Sequence, residues 1–377
     1  MTRPTLLILS FSPIERDARV LKQVELLRER YEVTTCGYGA APEGVARHLR
    51  VPDELAIWRY DRLSVVLRRF AHAYRTNPAL AEARRLLAGS RFDIVLANDV
   101  DAVGLALELE PTRGVHADLH EYAPRQKEEN PRWRRFVAPL VRWMCREHVR
   151  RAASVTTVGE AIAAEYGREF GIAAEVVTNA APYSSLSPTA VSPPLRLVHS
   201  GACLRARGLD LVVAAVEQAD ADVTLDLFLT PNDPAYLAEL RDRAAASARL
   251  TLHDPVPYAR LSATLNAHDV GIHLLPPVNF NNAMALPNKL FDYVQARLGV
   301  LIGPSPAMAE YVERYGFGRV AADFTVEALA REIEALSIAS VVRYKAASDA
   351  AARELSSEAQ VAVWDAAISR LGQPAAS

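Results

Sequence analysis

The chain has 377 residues, half of them hydrophobic, and a formal net charge of -2 at pH 7. A chain of this length is typical of two domains, and its near-neutral charge excludes the strong basic field of a nucleic-acid-binding protein. Ordinary Gly and Pro contents and the large apolar fraction exclude a disordered chain. The sequence therefore predicts a globular protein with two sizeable cores and no nucleic-acid partner.

The three cysteines, Cys36, Cys145 and Cys203, are far apart and have no metal-ligand spacing with the nine histidines. An odd number of dispersed cysteines is typical of a reducing compartment. The first apolar run, Leu6–Leu9, is too short for a signal peptide or a membrane span and is typical of a strand. These features predict a cytoplasmic protein.

The first half of the chain alternates between buried strands and amphipathic helices. A continuous apolar run predicts a strand at 5–11, and apolar residues at helical spacing predict a helix at 18–30. The same pattern predicts further strands at 31–36, 92–97, 114–119, 154–158 and 174–178. Strands that alternate with helices indicate an open, doubly wound parallel sheet.

A proline- and serine-rich stretch at 182–194 interrupts this periodicity, and the pattern then resumes. Strands are predicted after it at 195–200, 223–229, 250–252, 270–274, 299–302 and 319–321. We predict an N-terminal Rossmann-like domain (residues 1–185), a linker (186–194), a C-terminal Rossmann-like domain (195–355) and a C-terminal segment (356–377) whose helix packs back toward the first domain. The predicted fold class is α/β, with two doubly wound domains that face each other across a cleft. Ligands are expected beyond the carboxyl ends of the strands.

The loop after the first strand delivers Asp17 and Arg19 to the start of a helix. Helix N-termini attract anions, so Arg19 and the free amides are candidates for holding a phosphate or carboxylate group. The alternative is that Asp17 only caps the helix and that Arg19 is solvated.

Two further strands of the first half end in polar residues. Asp99 belongs to an Asp-x-Asp triplet, but Asp220–Asp222 repeats this triplet in an ordinary turn, so it does not predict a metal site. Asp99 is instead expected to hydrogen-bond a sugar or the neighbouring loop. His120 is able to donate to a hydroxyl or to stabilise developing charge near neutral pH, although a structural role is the alternative.

In the second half, the segment between the strand at 195–200 and the next helix contains two glycines and two arginines. Gly201 and Gly208 permit close approach of the backbone to a ligand, and Arg205 and Arg207 precede the helix. This arrangement predicts a cradle for a diphosphate, although it is weaker evidence than a P-loop, which the sequence lacks.

The stretch ALPNKLFDYVQAR at 285–297 is predicted to be the counterpart of that cradle. Pro287 lies near the first helical position, and Lys289 and the helix dipole favour an anion there. Asn288, Asp292 and Gln295 share one helical face. Asp292 is placed to accept hydrogen bonds from a vicinal diol such as a ribose.

Taken together, these residues resemble a retaining glycosyltransferase of the GT-B fold, most similar to glycosyltransferase family 4. The resemblance covers nearly the whole chain. It rests on the order and spacing of eight motifs: 17–23 (DARVLKQ), 98–99 (ND), 118–121 (DLHE), 157–160 (TVGE), 179–180 (NA), 207–209 (RGL) and, above all, 286–289 (LPNK) with 290–293 (LFDY).

The resemblance implies that the C-terminal domain holds the nucleotide sugar and the N-terminal domain the acceptor. Arg207 and Lys289 would grip the diphosphate, Asp292 would bind the ribose, and the backbone at Val256 would receive the base. His120 would contact the donor sugar, so the implied catalytic residues are His120, Arg207 and Lys289. The remaining candidates are, on the donor side, Gly201, Arg205, Pro287 and Asn288, and, on the acceptor side, Ser12, Asp17, Arg19, Asp99 and Glu121. The resemblance implies no cofactor and no metal, because the diphosphate is stabilised by cations of the protein.

The chain departs from the family pattern at three places. Met284 stands where most members have the first glutamate of a Glu-x7-Glu pair, and Asp292 stands at the second. Gly201-Ala202 replaces a common Gly-Arg, for which Arg205 is the predicted substitute. Ser12-Pro13 replaces the usual glycine pair after the first strand.

The segment 131–151 carries seven arginines and one acidic residue, interleaved with Trp133, Phe136 and Trp143. Basic amphipathic helices with tryptophan lie on anionic membranes. The alternative is a helix that packs its apolar side on the first domain and leaves its arginines in solvent. Pro139 interrupts the helical pattern.

The predicted function is transfer of a sugar from a nucleotide diphosphate sugar to an acceptor hydroxyl, with retention and without a metal, in the synthesis of a bacterial surface polysaccharide or glycoconjugate. The acceptor is a glycan, a lipid-linked compound or a small molecule. The alternatives are a nucleotide-sugar epimerase or hydrolase on the same fold, with Glu121 and Asp99 as its acid/base residues, and a nucleotide-sugar-binding homologue without turnover.

Overall fold

The computed structural model describes residues 3–372, which form two compact units. The first unit contains the residues up to Thr178, the short segment Asn279–Asn281 and the residues from Val361 onward. The second unit contains Asn179–Val278 and Asn282–Gln360. The outermost residues of the two predicted terminal domains, 1–2 and 373–377, lie outside the described part of the chain.

The first unit is built on seven parallel strands. They are β1 (Thr5–Pro13), β2 (Glu32–Tyr38), β3 (Arg47–Arg50), β4 (Ile94–Asn98), β5 (Gly114–Leu119), β6 (Ser154–Thr157) and β7 (Ala174–Val176). The helices of this part of the chain are α1 (Ala18–Leu27), α2 (Arg62–Val66), α3 (Phe70–Arg75), α4 (Pro78–Leu87), α5 (Val100–Glu108), α6 (Ala138–Glu147) and α7 (Glu160–Phe170).

The strand order in the first sheet is β3-β2-β1-β4-β5-β6-β7. The order reverses between β1 and β4, and in doubly wound sheets a ligand binds beyond the carboxyl ends of the strands at that switch point. The central strands are continuous apolar runs because helices cover both faces of the sheet, and Leu6–Leu9 have no exposed surface.

The second unit repeats this architecture with six parallel strands. They are β8 (Leu195–Ala202), β9 (Val223–Thr230), β10 (Leu250–His253), β11 (Val270–His273), β12 (Gly299–Ile302) and β13 (Gly318–Val320). The later helices are α8 (Leu209–Gln218), α9 (Pro234–Ala245), α10 (Tyr258–Leu265), α11 (Phe280–Ala283), α12 (Asn288–Gln295), α13 (Pro306–Tyr315), α14 (Val326–Glu334), α15 (Ile338–Ala351) and α16 (Ser357–Gly372).

The strand order in the second sheet is β10-β9-β8-β11-β12-β13, with the switch point between β8 and β11. Two apolar clusters cover the faces of this sheet. One contains Leu209 and Val213 of α8, and the other contains Leu290 and Phe291 of α12. The helices that carry the predicted diphosphate cradle are therefore anchored by their apolar sides.

The predicted α/β class with two doubly wound parallel sheets is confirmed. One strand was missed by the sequence analysis. β3 has the sequence RHLR and only Leu49 is buried in it, so it has no apolar run. It pairs with β2 at the edge of the first sheet, where charged residues are common.

The segment around the predicted linker 186–194 contains no helix or strand, yet side chains of the second unit hold it. Buried Arg297 donates to the carbonyl of Ser184 (2.6 Å), and the backbone amide of Ser184 donates to Gln295 (3.0 Å). Lys345, which is also buried, donates to the Thr189 hydroxyl at 2.8 Å. Residues 179–185 therefore group with the second unit by their contacts, whereas the prediction placed them in the first domain.

The last helix, α16, ends inside the first unit. Trp364 and Ile368 are buried there, and Ile368 belongs to the apolar cluster that contains Leu6 and Ile8. The guanidinium of Arg19 lies 4.6 Å from the centre of the Trp364 ring. The final helix therefore completes a core that begins with the first strand.

In the described part of the chain, residues 3–372, no helix combines the length and the apolar character that crossing a bilayer requires.

Candidate functional site

A group of polar residues lies at the switch point of each sheet. The first group follows strands β1, β4 and β5. The second follows β8, β10 and β11, together with the start of α12.

Asp118, at the end of β5, is fully buried and is the centre of the first group. Its carboxylate accepts two hydrogen bonds of 2.7 Å from Arg19, one of 2.8 Å from Gln23 and one of 2.6 Å from Thr156. The indole of Trp364 also donates to it at 3.3 Å. Burial alone would raise the pKa of Asp118, but Arg19 and His120 together hold it well below its usual value. Asp118 therefore carries a permanent negative charge inside the first unit.

The two acceptor-side candidates at the start of α1, Asp17 and Arg19, make contacts within the protein. Arg19 is buried; besides Asp118, it donates to the carbonyl of Val177 at 2.8 Å. Asp17 caps α1 by accepting the amides of Arg19 and Val20. The expectation that Arg19 holds a ligand anion is therefore wrong, because a carboxylate of the protein already occupies its guanidinium.

His120 lies beside Asp118 and is bordered by oxygen atoms on both sides of its ring. Its Nδ1 is 3.4 Å from Asp99 Oδ2, and its Nε2 is 3.2 Å from Asn98 Oδ1 and 3.4 Å from Asp118 Oδ2. Burial would lower the pKa of His120, but Asp99 and Asp118 raise it to about 8. His120 is therefore an imidazolium at neutral pH, because both ring nitrogens face acceptors.

Asp99 adopts a backbone conformation that is unusual for a residue other than glycine, with φ at 66° and ψ at 161°. Its side chain accepts the backbone amide of His120 at 3.2 Å, and its own amide donates to the carbonyl of Asp118. The loop thus holds a carboxylate against His120 at the expense of backbone strain, which is typical of functional sites.

The other two acceptor-side candidates flank this group. Burial, and then the charge of Asp99, raise the pKa of Glu121 to about 7, and Gln126 donates to its carboxylate. The hydroxyl of Ser12 is 2.9 Å from that of Ser10. Glu121 is thus an acceptor-side candidate whose charge responds to this environment.

The second group contains a pair of cations at the end of β8. Gly201 has φ at 139°, and a Cβ atom there would lie 2.5 Å from Lys289 Nζ. The ammonium group therefore rests against the backbone where only glycine leaves room. Burial, followed by the positive charge of Arg207, lowers the pKa of Lys289. In residues 3–372, no carboxylate lies within ion-pair distance of Arg207 or Lys289.

Two neutral histidines lie beneath this pair. The rings of His199 and His273 are stacked with their centres 5.7 Å apart, and His199 Nδ1 donates to the carbonyl of Ile272 at 2.9 Å. Burial, and then Lys289, lower the pKa of His199 to about 3, and burial also lowers that of His273. His199 Nε2 and both ring nitrogens of His273 have no hydrogen-bond partner among the described residues. These histidines add no charge at neutral pH, so the cradle presents two cations.

Arg205 does not take part in this pair. It forms an ion pair with Glu239 of α9, and its guanidinium covers the Tyr236 ring with 4.4 Å to the ring centre. From the sequence, Arg205 was predicted to replace the phosphate contact of the arginine that is common in the family at position 202. Both side chains of this ion pair are more than half exposed, so the pair is weak, and the role of Arg205 as a substitute phosphate contact stays a prediction.

The start of α12 brings Pro287, Asn288 and Asp292 to the cradle. Pro287 is the residue before the first helical turn, Asn288 is exposed, and the buried Asp292 raises the pKa of Lys289. Tyr258, at the start of α10, approaches Asp292 Oδ1 with its hydroxyl at 3.5 Å. Tyr258 is more than half exposed and thus stands at the edge of this group.

Gln295, which shares the polar face of α12 in sequence, is turned into the protein. It is fully buried and donates to the carbonyls of Ala352 and Leu355. The polar face of α12 therefore ends at Asp292.

The predicted base-binding loop follows β10. Val256 is half-buried in this loop, which has no regular structure. His253, just before it, stacks on Phe228 with ring centres 4.5 Å apart and pairs with Asp226. The start of the loop is thus fixed to the neighbouring strand, β9.

The basic segment 131–151 divides into two parts. The apolar side of α6 is buried through Leu140, Met144 and Cys145. This part agrees with the alternative reading of the segment as a helix that packs on the first domain. One turn earlier, at Trp133–Val137, a π-helical turn precedes Pro139, and none of its residues is fully buried.

No group of three or more His, Cys, Asp or Glu side chains suited to a metal ion occurs among residues 3–372.

Comparison with known proteins shows the fold. No protein-family model matches the sequence, and no curated protein matches it. Solved structures do match over nearly the whole chain. HepE of Anabaena, in complex with UDP, has a TM-score of 0.70 and 12% identity, covering 97% of this chain and 100% of its own. A further HepE structure contains UDP-glucose.

Two other structures extend this likeness. Sucrose-phosphate synthase of Thermosynechococcus elongatus has a TM-score of 0.70 and 13% identity, covering 98% of this chain and 99% of its own. WaaG, described as a glycosyltransferase involved in lipopolysaccharide biosynthesis, has a TM-score of 0.64 and 13% identity, with coverages of 94% and 98%. The fold is thus that of GT-B glycosyltransferases, as the sequence resemblance implied.

The sequence analysis missed several residues of both groups. Gln23 was part of a matching motif but received no role, and Trp364 lies in the C-terminal segment, for which only packing toward the first domain was predicted. His199 lies inside β8 and His273 ends β11, and a polar residue in a largely apolar strand was the available signal. Tyr258 directly follows the predicted base-binding loop, but nothing in the sequence indicates its contact with Asp292.

Proposed function

We propose that this protein transfers a sugar from a nucleotide diphosphate sugar to an acceptor hydroxyl. The observation that carries the proposal is the cation pair of the second unit. Arg207 and Lys289 lie at the end of β8 without a carboxylate partner in the described chain, and Gly201 opens the backbone beside them. Two adjacent cations repel each other, so their placement favours a ligand with at least two negative charges. A diphosphate fits this requirement.

The same pair suits the chemistry of a leaving diphosphate. Negative charge develops on this group as the bond to the sugar breaks, and preorganised cations stabilise that charge. We propose that Arg207 and Lys289 do this without a metal. We also propose a retaining reaction of the family 4 type, in which the departing phosphate helps to deprotonate the acceptor hydroxyl.

The other donor-side residues are assigned by their positions around the pair. Asp292 is proposed to accept hydrogen bonds from the ribose and the backbone at Val256 to receive the base. The HepE complexes contain UDP and UDP-glucose, which makes a uridine diphosphate sugar the first donor to test. Contact of His120 with the donor sugar stays a prediction from the family resemblance.

The acceptor and the setting are also proposals. We propose a role in bacterial surface polysaccharide or glycoconjugate synthesis, in the cytoplasm, with peripheral contact between the segment 131–151 and an anionic membrane. The support is the half-buried turn Trp133–Val137, which leaves aromatic and basic side chains accessible.

The test is a thermal shift series with UDP, GDP, ADP, CMP and dTDP, each in EDTA and each again with Mg²⁺. A ligand at a hundred times its dissociation constant adds about 2.7 kcal/mol of stability. We expect one nucleoside diphosphate to raise the Tm in EDTA. No response to any nucleotide contradicts the donor site, and a response only with Mg²⁺ contradicts metal-independent binding.

Variants locate the binding. Lys289→Ala and Arg207→Ala should each remove the response, whereas the exposed Arg343→Ala in α15 serves as the matched control and should keep it. Unchanged affinity in both cradle variants would refute the site.

A product assay separates the proposed function from its alternatives. Nucleotide release that requires an acceptor identifies a transferase, and release without one identifies a hydrolase. Binding with neither release nor epimerised donor identifies a homologue without turnover. The anomeric configuration of the product, read by NMR, tests retention.

A further inference from the structure

An apolar groove lies on the first unit, apart from the residues assigned above. Its volume is about 940 Å³, which is within the range of small-molecule sites. Its walls come from the segment before and within α2 and from the turn before α6. The lining residues are Trp58, Arg59, Tyr60, Arg62, Val65, Val66, Arg132, Trp133, Phe136, Val137 and Leu140.

The groove continues into a second recess and an exposed apolar rim. The second recess, of about 460 Å³, shares Val65, Val66 and Phe136 with the first. Trp58 is 74% exposed and Leu63 66%, while Val66 and Leu67 are each 52% exposed. Large apolar side chains that cluster in this way on a surface mark a binding site more often than scattered ones do.

The charges around the groove have one sign. Arg59, Arg62 and Arg132 line it, and its lining contains no acidic residue. Within residues 3–372, no carboxylate forms an ion pair with any of these three arginines. Guanidinium groups bind phosphate through paired hydrogen bonds, so this rim is complementary to a phosphate group.

One wall of the groove is tied to the residues around His120. Tyr60 lines the groove and donates its hydroxyl to the carboxylate of Asp101. Asp101 lies on the first turn of α5, two residues after Asp99, which contacts His120. The groove and the strand-end group of the first unit therefore share one continuous stretch of chain.

We propose that this groove binds a single amphiphilic anion, with its apolar chain against Trp58, Trp133 and Phe136 and its phosphate on the arginine rim. If the protein is a glycosyltransferase, as proposed above, the bound molecule is its acceptor, a lipid-linked phosphate; this part of the inference rests on the proposed function. The binding itself does not depend on turnover. A purely polar acceptor would gain nothing from an apolar groove, and a neutral lipid would make no use of the three exposed arginines on the rim of the groove.

The test is photolabelling of the full chain with a prenyl monophosphate that carries a benzophenone. Adducts are mapped by mass spectrometry, with farnesyl phosphate and inorganic phosphate as competitors. We expect adducts within 58–66 and 132–140 that farnesyl phosphate prevents and inorganic phosphate does not. Adducts elsewhere, or adducts that farnesyl phosphate leaves unchanged, overturn the proposal.

Exposed groove residues supply variants that need not disturb folding. Trp58→Ser, Val66→Asp and Arg62→Glu should each weaken competition by farnesyl phosphate by about tenfold or more, which corresponds to about 1.4 kcal/mol. The matched controls lie on α15 of the second unit, where Ile338→Asp and Arg343→Glu change the same residue classes. Equal loss in the controls overturns the assignment to the groove.

Two further measurements separate this occupant from others. In the first, the protein is sedimented with phosphatidylcholine vesicles that contain phosphatidylglycerol. If it binds these vesicles but the prenyl phosphate does not label it, the groove contacts a bilayer surface and the proposal is overturned. A dimer seen by light scattering, and lost in Val66→Asp, would replace it by contact with a second copy.

A Lys289→Ala protein keeps the two proposals distinguishable. Its groove should label normally although its donor cradle is impaired. In the unsubstituted chain, normal groove labelling without a response to any nucleotide refutes the proposed function alone, and a nucleotide response without groove labelling refutes this inference alone.

Discussion

The two switch points of this protein share one topology and differ in how they treat charge. In the first unit, Arg19 is buried and gives two hydrogen bonds of 2.7 Å to Asp118, so its charge is neutralised within the protein. In the second unit, Arg207 and Lys289 repel each other, and among residues 3–372 no carboxylate lies within ion-pair distance of either, although Asp292 acts on Lys289 from farther away. The same fold therefore pairs a cation with a carboxylate at one switch point and leaves two cations without an ion pair at the other.

This difference shows that an arginine after the first strand of a doubly wound sheet does not by itself predict an anion site. Whether such an arginine is available to a ligand depends on whether a carboxylate of the protein forms an ion pair with it. Asp118 reaches Arg19 from the end of β5, whereas β12, the strand at the equivalent place in the second sheet, ends in Ile302, which carries no charge. Substitutions in the two units test this contrast.

The largest expected effect is on the free energy of unfolding, and it is tested by one arginine-to-alanine variant in each unit. Arg19→Ala leaves the carboxylate of Asp118 buried without its main partner and should lower the free energy of unfolding by about 3–5 kcal/mol. Arg207→Ala removes a cation that has no such partner and should change it by less than about 0.5 kcal/mol. Equilibrium unfolding followed by circular dichroism measures both. Equal losses in the two variants would contradict the contrast.

Gly201→Ala should disable the cradle without unfolding the second unit. The added Cβ would lie 2.5 Å from Lys289 Nζ, so the flexible lysine must move away, and φ at 139° strains any residue other than glycine. We expect nucleotide affinity to fall by about a hundredfold, or about 2.7 kcal/mol.

The matched control for this variant is Gly316→Ala. Gly316 also has positive φ, but a Cβ atom added there would meet no other atom within 4 Å, so this variant carries backbone strain alone. Calorimetric titration with the nucleotide identified by thermal shift compares the two. If Gly316→Ala lost as much affinity, strain rather than displacement of Lys289 would be the cause.

The stability of the first unit should depend on the charge of His120. Its folded pKa of about 8 lies above the ordinary value of 6.5, so its stabilising charge is fully present below pH 6.5 and is lost as pH rises through 8. The contribution is on the order of 2 kcal/mol. We expect the difference in unfolding free energy between the wild type and His120→Asn to shrink between pH 6 and about pH 9. A difference independent of pH would mean that His120 is neutral in the folded protein.

The smallest expected effect concerns the strained backbone of Asp99. Asp99→Ala and Asp99→Gly both remove the carboxylate beside His120, but only glycine relieves the conformation at φ 66° and ψ 161°. We expect Asp99→Gly to be more stable than Asp99→Ala by about 1–2 kcal/mol. Both variants should have a lower His120 pKa, measurable by NMR. Equal stabilities would show that the loop relaxes on its own.

Much of the fold was predictable because the strands bury both faces. β1, β4, β11 and β12 each contain a run of three or more buried apolar or glycine residues, which is the signal of a buried parallel strand. β3 lacked such a run because it lies at the sheet edge. The division of the chain near residue 179 was not predictable from composition, because buried Arg297 and Lys345 bind the proline-rich segment through groups that no local pattern reveals.

For the candidate site, the sequence alone determined which residue types stand at the strand ends, because strand and helix periods are local properties of the chain. It therefore placed His120 and Gly201 after predicted strands, and Lys289 and Asp292 in the first turns of a predicted helix. Only the tertiary structure decided which of the charged residues already have an ion-pair partner. The partners of Arg19 and Arg205, Asp118 and Glu239, lie 99 and 34 residues away in sequence. A charge is accessible to a ligand only when folding brings no opposite charge to it, and that outcome depends on distant residues rather than on the motif itself.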